Sequence, residues 1–494
     1  MIFLYGRRIP MDRTDRAEFK AAGHSEDVLP TAQEDRKWGI GNYATVWMGS
    51  VHNIPNYAAI GGLFFALGLS VLQVFSAIMT ASIILAAVMV LNGHAGSKYG
   101  LPFSMLLRAS YGSKGALIPG VLRGVIVAIM WFGLQTFAGS LALSVLIAKI
   151  WPAFLTLGGG WSFLGLTLPA MISFLLFWLL NVALIFGGMD FLGKFTNILS
   201  PLVYLVFGGM AIWAINLAGG IGPILNYTSA GVTDGGNSII IFLGAVAAVI
   251  APWAAPIVSV SDFTRLSPSH KQQAIGQSVG LIVTYLLFAV ASISIFVGSK
   301  IAFGKEIWEV TEVVERFDSG FAIGISVLTL CLTTVSVNVT GNIVPAGFQL
   351  ASLFPKWLNF RTGAFLAAVV GILVMPWKLM ENSGSIFTFL SIVGGILGPV
   401  TGVMLAHYFV VLKTEINLNE LYLNKRNGKY RYTKGFNIKA IATTILAAVL
   451  CLIGQFVPFF KPLYDISWFV GIFSAFIIYV LLEIPTIKAS RQAK

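Results

Sequence analysis

The chain has 494 residues, of which 57% are hydrophobic and only 11% are charged, and its mean hydropathy is +0.84. An ordinary soluble domain carries about 25% charged residues, so this composition excludes a soluble globular protein and predicts a membrane protein. The formal net charge of +12 does not indicate a nucleic-acid partner, since that needs a basic face on a soluble domain; the lipid bilayer is the expected surrounding.

Apolar runs recur along nearly the whole chain, and each is long enough to cross a hydrocarbon core of roughly 30 Å as a helix. The runs are apolar on every side rather than alternating, which favours helices over a β-barrel. The sequence therefore predicts an all-α polytopic membrane protein with twelve transmembrane helices. The predicted spans are 40–67, 71–92, 115–149, 161–187, 196–218, 238–259, 275–302, 320–351, 363–379, 384–412, 438–458 and 466–486.

Polar segments divide the chain into units. The N-terminal stretch lacks the apolar core and cleavage site of a signal peptide, so we expect a flexible tail. Most of the 32 Lys and Arg residues fall on the same side as that tail, which places both termini in the cytoplasm of a multi-pass cytoplasmic-membrane protein. The predicted units are a cytoplasmic tail (1–37), five spans (38–218), five more spans (238–412), a cytoplasmic loop (413–437), two additional spans (438–487) and a C-terminal cytoplasmic tail (488–494).

Spans one and six are interrupted at mid-depth. Span one carries Asn53 and Pro55 inside its apolar run, and in span six Pro252 and Pro256 bracket Trp253. Each proline removes a backbone donor and crowds the preceding turn, which exposes backbone groups. Ordinary proline kinks are the alternative, but paired breaks in corresponding spans of two halves favour a transporter site built on inverted repeats.

Uncharged polar side chains lie inside spans three and eight. Trp131 and Gln135 stand four residues apart in span three, as do Asn338 and Asn342 in span eight, so each pair shares a helix face. Amides offer donors and acceptors without charge and indoles suit a flat ring, which favours a small, neutral heterocyclic substrate. The alternative is that these amides bridge helices. His52, in the break of span one, could carry a proton or bond a freed carbonyl.

Acidic residues are absent from the span centres and gather in one outer loop. No Asp or Glu falls near the centre of a predicted span, so we expect no carboxylate relay for protons. Between spans seven and eight, Glu309, Glu312 and Glu315 recur every third residue, with apolar residues between them. This pattern predicts a short amphipathic surface helix with a solvated acidic face, and a cation-attracting vestibule is the alternative.

Several long stretches resemble one transporter family. They are VLNGHAGSKYGLPF, LLRASYG, AIMWFGLQTFAGS, SVNVTGNIVPAG, MPWKLMEN, GGILGPVTGVMLAHYFVV and LYDISWFVG. The chain resembles, over roughly residues 25–485, the nucleobase:cation symporter-1 family and within it the allantoin permeases. The resemblance implies two inverted five-helix repeats of the LeuT type plus two extra helices, and secondary active, cation-coupled import of allantoin by alternating access. Hydantoin, uracil or another nucleobase is the alternative cargo.

The resemblance also implies residue roles. Trp131 and Trp253 would sandwich the substrate ring, Gln135 and Asn342 would hydrogen-bond its edges, and Asn53 would add a further amide. No nucleophile, base and orienting group cluster at depth, so we expect no enzyme, no catalytic residue and no metal centre. A channel or membrane receptor is the alternative class, but no filter motif is present.

A sodium site is implied in the same way. Backbone carbonyls of Gly49, His52 and Thr333 and the hydroxyl of Ser336 would bind the ion, while a second hydroxyl ligand falls on Val337. We expect no cofactor besides a coupling ion, and Na⁺, H⁺ or neither stays open. The sequence leaves the oligomeric state open, a monomer included.

Overall fold

The protein, described by a computed structural model, is almost wholly helical. The structure describes residues 13–24, 26–187, 189–227, 238–354, 356–423 and 428–492. The predicted tail segments 1–12 and 493–494, and residues 424–427 of the predicted loop, lie outside the described residues.

The first half of the chain contains eleven α-helices and a two-stranded hairpin within the described ranges. The helices are α1 (Arg13–Ala21), α2 (Ile40–Val51), α3 (Ile54–Phe65), α4 (Val71–Asn92), α5 (His94–Tyr99), α6 (Phe103–Tyr111), α7 (Leu117–Val121), α8 (Ala128–Ile150), α9 (Leu168–Gly187), α10 (Met189–Leu217) and α11 (Ile221–Leu225). Antiparallel strands β1 (Ser162–Phe163) and β2 (Leu166–Thr167) join α8 to α9.

The second half contains thirteen α-helices in its described part. Its helices are α12 (Ser238–Ile250), α13 (Ala254–Ser259), α14 (Ser261–Thr264), α15 (His270–Phe303), α16 (Val310–Val314), α17 (Gly320–Asn338), α18 (Val344–Leu353), α19 (Phe360–Leu373), α20 (Ser383–Leu405), α21 (Leu418–Leu423), α22 (Ile438–Leu452), α23 (Lys461–Asp465) and α24 (Ser467–Gln492). Single π-helical segments occur at Leu122–Val127, Val339–Ile343 and Ala406–Val411.

The polytopic all-α prediction is confirmed. Among the described residues, nine helical runs are long and apolar enough to cross a membrane. The predicted spans one, five and nine appear as the shorter apolar helices Ile54–Phe65, Leu202–Leu217 and Phe360–Leu373. The number twelve stays a prediction, because span one is divided into α2 and α3 and span nine is a helix of 14 residues, whereas the shorter run of span five belongs to the 29-residue helix α10.

Span nine ends earlier than predicted. The run 363–379 was expected to be one helix, but α19 ends at Leu373 and a 3₁₀ turn begins at Pro376. Met375 adopts a left-handed φ of 47°. Pro376 disfavours a right-handed helical conformation at Met375, so the helix does not continue there. The Trp377 indole then donates to the carbonyl of Leu164 at 2.9 Å, which fixes the turn against the β-hairpin.

The breaks in spans one and six are present. The first span divides into α2 and α3, and Asn53 caps α3 by accepting from the Asn56 backbone N–H at 3.1 Å. Pro55 lies in the first turn of α3, where its missing donor costs nothing. In the sixth span α12 ends at Ile250, a 3₁₀ turn spans Ala251–Trp253, and α13 follows.

The N-terminal segment packs on the protein rather than extending as a free tail. Phe19 is fully buried and stacks on Tyr422 at a ring separation of 4.4 Å. The Thr31 backbone N–H donates to Gly100, and Arg36 donates to the Thr31 and Ser97 carbonyls. The segment therefore connects the loop between α5 and α6 to the predicted loop 413–437.

The outer acidic segment forms a shorter helix than its charge pattern covers. Helix α16 spans Val310–Val314, and Val310 and Val313 are buried, as an amphipathic helix requires. Glu309 immediately before it is half-buried rather than fully solvated. The segment lies close to α3 at Gly61. A Cβ atom at that position would come within 2.7 Å of the Trp308 carbonyl oxygen, so the glycine permits the approach.

The membrane helices pack in two groups. Helices α2, α3, α4, α12, α13 and α15 contact one another extensively and are called group A. Helices α8, α9, α17, α18 and α19 form group B in the same way. Group A meets group B where α3 contacts α8 and where α2 contacts α17. Helix α20 packs against the segments at both breaks, and it also contacts α22 and α24. The candidate site residues lie at this boundary.

Candidate functional site

Two polar atoms on α8 are buried and have no partner in the part of the chain that the structure describes. Trp131 and Gln135 are each only 4% exposed, and neither the Trp131 Nε1 nor the Gln135 Oε1 finds a hydrogen-bond partner among the described residues. Leaving one such atom unpaired costs about 1–3 kcal/mol. The predicted face of α8 therefore offers one donor and one acceptor, a helical turn apart, to a third group.

Trp253 is held by an aromatic cluster of group A. Its Nε1 donates to the Tyr285 hydroxyl at 2.5 Å, and its ring lies edge-on to Trp47 with centroids 5.5 Å apart. The indole N–H is thus used within the protein, which leaves the ring face as the part that can meet a ligand. Trp131 instead packs edge-on against Phe389 of α20, at 4.8 Å.

The two asparagines of span eight form one hydrogen-bond chain. Asn342 donates to the Asn338 Oδ1 at 3.0 Å. Asn338 in turn donates to the Thr136 hydroxyl at 3.0 Å and to the Asn181 Oδ1 at 3.2 Å. Asn338 therefore joins α17 to α8 and α9, as the helix-bridging alternative expected, while its contact fixes the orientation of the Asn342 amide.

Asn53 is largely occupied by the break it caps. Its Nδ2 donates to the Ser50 carbonyl at 2.8 Å and its Oδ1 accepts from the Asn56 backbone. An amide nitrogen carries two hydrogens, so one N–H stays available to a ligand. Its role as a substrate ligand stays a prediction.

The break also releases two carbonyls at the predicted sodium site. In a continuous helix the Gly49 carbonyl would accept from the Asn53 N–H, but that N–H donates to Val51. The His52 carbonyl loses its donor similarly, because the Asn56 N–H bonds the Asn53 side chain. These two oxygens fit a cation.

The α17 side of the predicted sodium site is less complete. Thr333 and Ser336 are buried on α17, which contacts α2. The Thr333 hydroxyl donates to the Thr329 and Leu330 carbonyls of its own helix. Val337 supplies no oxygen, so the donor set fits Na⁺ in four of the five positions that the resemblance implies.

His52 bonds a side chain rather than a freed carbonyl. Its Nδ1 lies 3.0 Å from the Tyr57 hydroxyl, and its Nε2 has no partner within the described ranges. Phe207 and Phe288 pack against its ring at 5.3 and 5.4 Å. The residue is enclosed by aromatic rings next to the break.

Residues that sequence reasoning missed complete this picture. Trp47 is buried with its Nε1 unpaired in the described part of the chain, and Tyr285 orients Trp253. The position of Trp47 on span one, five residues before His52, was the available signal. All five predicted substrate residues are buried, and a separate cavity of about 140 Å³ between α12, α20 and α23 is lined by none of them.

Comparison with known proteins assigns the family. A family described as "Permease for cytosine/purines, uracil, thiamine, allantoin" matches residues 30–471. An Escherichia coli (strain K12) protein named "Putative allantoin permease" is 54% identical, covering 95% of this chain and 96% of its own. The allantoin permease of Bacillus subtilis (strain 168) is 47% identical, covering 93% and 92%.

Solved structures agree with this assignment. Mhp1, a nucleobase-cation-symport-1 family transporter solved in a closed conformation with bromovinylhydantoin bound, has a TM-score of 0.74 at 25% identity, covering 94% of this chain and 96% of its own. MhsT in complex with L-phenylalanine shares the fold, with a TM-score of 0.55 at 14% identity, covering 89% and 97%. The chain therefore belongs to the nucleobase:cation symporter-1 family and is a multi-pass membrane permease, not an enzyme.

Proposed function

We propose that this protein imports allantoin across the cytoplasmic membrane by alternating access. The observation that carries the proposal is that the indole N–H of Trp131 and the amide oxygen of Gln135, four residues apart, have no hydrogen-bond partner among the described residues. A ureide ring presents carbonyl oxygens and N–H groups along its edge, so it would satisfy both atoms without introducing a charge. The names of the Bacillus subtilis relative and of the Escherichia coli relative support the cargo.

The remaining site residues have complementary roles in the proposal. Trp131 and Trp253 stack on the two faces of the ring, and the Asn342 amide bonds its far edge. Asn338 holds Asn342 in place and Tyr285 holds Trp253, so the site is ordered before the substrate arrives. Less of the binding energy is then lost in ordering these side chains.

Transport follows from separation of the two helix groups. Trp253 and the Gly49 and His52 carbonyls lie at the two breaks of group A. Trp131 and Gln135 belong to group B, as does Thr333 of the cation site, and Asn342 lies in the π segment that follows α17. A substrate bound between the groups would be exposed to one side and then the other as they rock. The excess of basic residues in the predicted inner segments supports cytoplasmic termini.

We propose coupling to a cation at the break of span one. The Gly49 and His52 carbonyls support this site, together with the Thr333 carbonyl and the Ser336 hydroxyl. With Val337 in place of a hydroxyl, the site has four oxygens, and a dependence on Na⁺ weaker than that of a five-oxygen site is expected. A proton gradient is the alternative driving force.

One assay separates the alternatives of cargo and ion. Uptake of labelled allantoin is measured in cells that lack their own allantoin uptake, with sodium and the proton gradient varied independently. Unlabelled allantoin, hydantoin and uracil are each added in excess in parallel. The proposal expects unlabelled allantoin to reduce the uptake of labelled allantoin the most. If hydantoin or uracil reduces it more, that compound is the preferred substrate of the site.

A further inference from the structure

Arg123 is a charged side chain buried inside a membrane-spanning segment that the proposed transport does not use. It lies in the π-helical segment Leu122–Val127, two turns before Trp131, and is 3% exposed. Its Nη1 has no partner in the part of the chain that the structure describes. Because a buried cation in a membrane is costly, such a residue marks a function and needs a named partner.

The guanidinium bonds the short helix that follows the break of span six. Its Nε donates to the Ala255 carbonyl at 2.9 Å and to the Ser259 hydroxyl at 3.2 Å. Both acceptors lie on α13 of group A. Ala255 is two residues beyond Trp253, so the contact holds the helix that positions one wall of the candidate site.

The same guanidinium bonds the π segment of span eight. Its Nη2 donates to the Gly341 carbonyl at 3.3 Å. Gly341 lies in the π-helical segment four residues before Pro345, which has no N–H to offer that carbonyl. Gly341 directly precedes Asn342, so Arg123 satisfies a carbonyl beside the opposite wall of the candidate site.

Arg123 therefore links the two helix groups at one end of the bundle. That end also carries the N-terminal segment, because the Trp38 N–H donates to the Leu266 carbonyl shortly after α13. In the proposed orientation this is the cytoplasmic end. Asp262 on α14, three residues beyond Ser259, supplies an opposite charge that attracts the guanidinium.

We propose that Arg123 is a positioning residue that keeps the cytoplasmic half of the pathway closed. Its bonds to Ala255 and Ser259 join the π segment that leads into α8 of group B to α13 of group A, and they break when the two groups separate at the cytoplasmic end. The planar guanidinium reaches acceptors on two helices at once, which a lysine ammonium cannot do equally well. This inference rests on the alternating access proposed above, but it concerns the equilibrium between conformations rather than the cargo.

The test is a distance measurement across the cytoplasmic end. Spin labels are placed at Lys271→Cys on α15 and Arg361→Cys on α19, both exposed, in a background with the two buried native cysteines replaced by alanine. In proteoliposomes without substrate, Arg123→Met is expected to raise the ratio of long-distance to short-distance populations about tenfold, since charge-assisted bonds are lost. Arg123→Lys should restore part of that change.

Further variants separate this role from general loosening. Ser259→Ala keeps the guanidinium, removes one acceptor and should raise the same ratio about threefold. Ser292→Ala is the matched control, because its hydroxyl bonds only its own helix, at the Phe288 and Ala289 carbonyls, and it should change nothing. If Arg123→Met does not fold, Ser259→Ala still tests the link.

Two results would overturn the assignment. One is an unchanged distance distribution in Ser259→Ala together with any folded Arg123→Met. The other is an equal shift in Ser292→Ala, which would indicate loosened packing alone. Because the labels report without substrate, a normal shift combined with absent allantoin uptake would instead refute the cargo and leave the role of Arg123 standing.

Discussion

The substitution Gln135→Met separates a binding role from a structural one, because the two roles predict opposite changes in stability. Methionine has a similar volume and no amide, so it removes the unpaired Oε1 from the interior of α8. The substrate-free protein should become more stable by about 1–3 kcal/mol, which is the cost of that unpaired atom.

The expected shift in melting temperature is measurable. At about 2.1 cal/mol/K per residue, the 494 residues give an unfolding entropy near 1 kcal/mol/K, so the midpoint should rise by about 1–3 °C. The substrate loses a hydrogen bond of about 1–2 kcal/mol at the same time, and its Kd should rise about 5- to 30-fold. Thermal unfolding in detergent and titration with allantoin measure the two effects on one preparation.

Asn181→Leu is the matched control. Its amide is fully buried but paired, donating to the Phe177 carbonyl and accepting from Asn338. Removing the Asn181 amide takes away an acceptor of the buried Asn338 amide, so the midpoint of thermal unfolding should fall. The reasoning about Gln135 would be refuted if Gln135→Met also lowered the midpoint and left allantoin affinity unchanged, because its amide would then be a structural group.

Three further substitutions test the surrounding contacts. Tyr285→Phe deprives the buried Trp253 N–H of its acceptor, and a rise of about fivefold or more in the KM of uptake is expected, whereas an unchanged KM would show that this contact does not order the site. Val337→Thr supplies the missing hydroxyl and should increase the ratio of uptake rates in sodium and choline buffers; no increase argues against the sodium site. Burial, with Glu312 close by, raises the pKa of Glu309 to about 7. Because that pKa is above its unfolded value, docking of the outer segment should weaken as pH rises from about 4.5 towards 7. Hydrogen exchange over 305–318 should therefore accelerate with pH in the native protein more than in Glu309→Gln, and equal acceleration in both would contradict this assignment.

Features set by local chemistry were predictable from the sequence. Pro252 and Pro256 remove backbone donors wherever they occur, so the break of span six followed from the sequence. The four-residue spacing of Trp131 and Gln135 placed both on one face of a helix, and each has a buried polar atom with no partner within the described ranges. The predicted end of span nine was wrong, because the apolar run of the sequence continues past Leu373 whereas the helix ends at that residue.

Contacts between distant segments were not predictable. Nothing near Trp253 indicates that Tyr285, on the next span, accepts its N–H. The stacking of Phe19 on Tyr422 likewise joins segments about 400 residues apart, and the sequence around Phe19 does not indicate this contact. The polar N-terminal segment was therefore predicted to be a flexible tail. Arg123 was visible as a charge in span three, but its acceptors depend on the packing of two other spans.

The central claim is that this protein carries allantoin through the site at the boundary of the two helix groups. The most direct measurement is uptake of labelled allantoin into proteoliposomes containing the purified protein, compared with Gln135→Ala and Asn342→Ala. The account predicts saturable uptake by the native protein and a KM raised at least about fivefold in both variants, each still inserted in the membrane. Uptake that does not saturate, or saturable uptake that both variants retain in full, would contradict it.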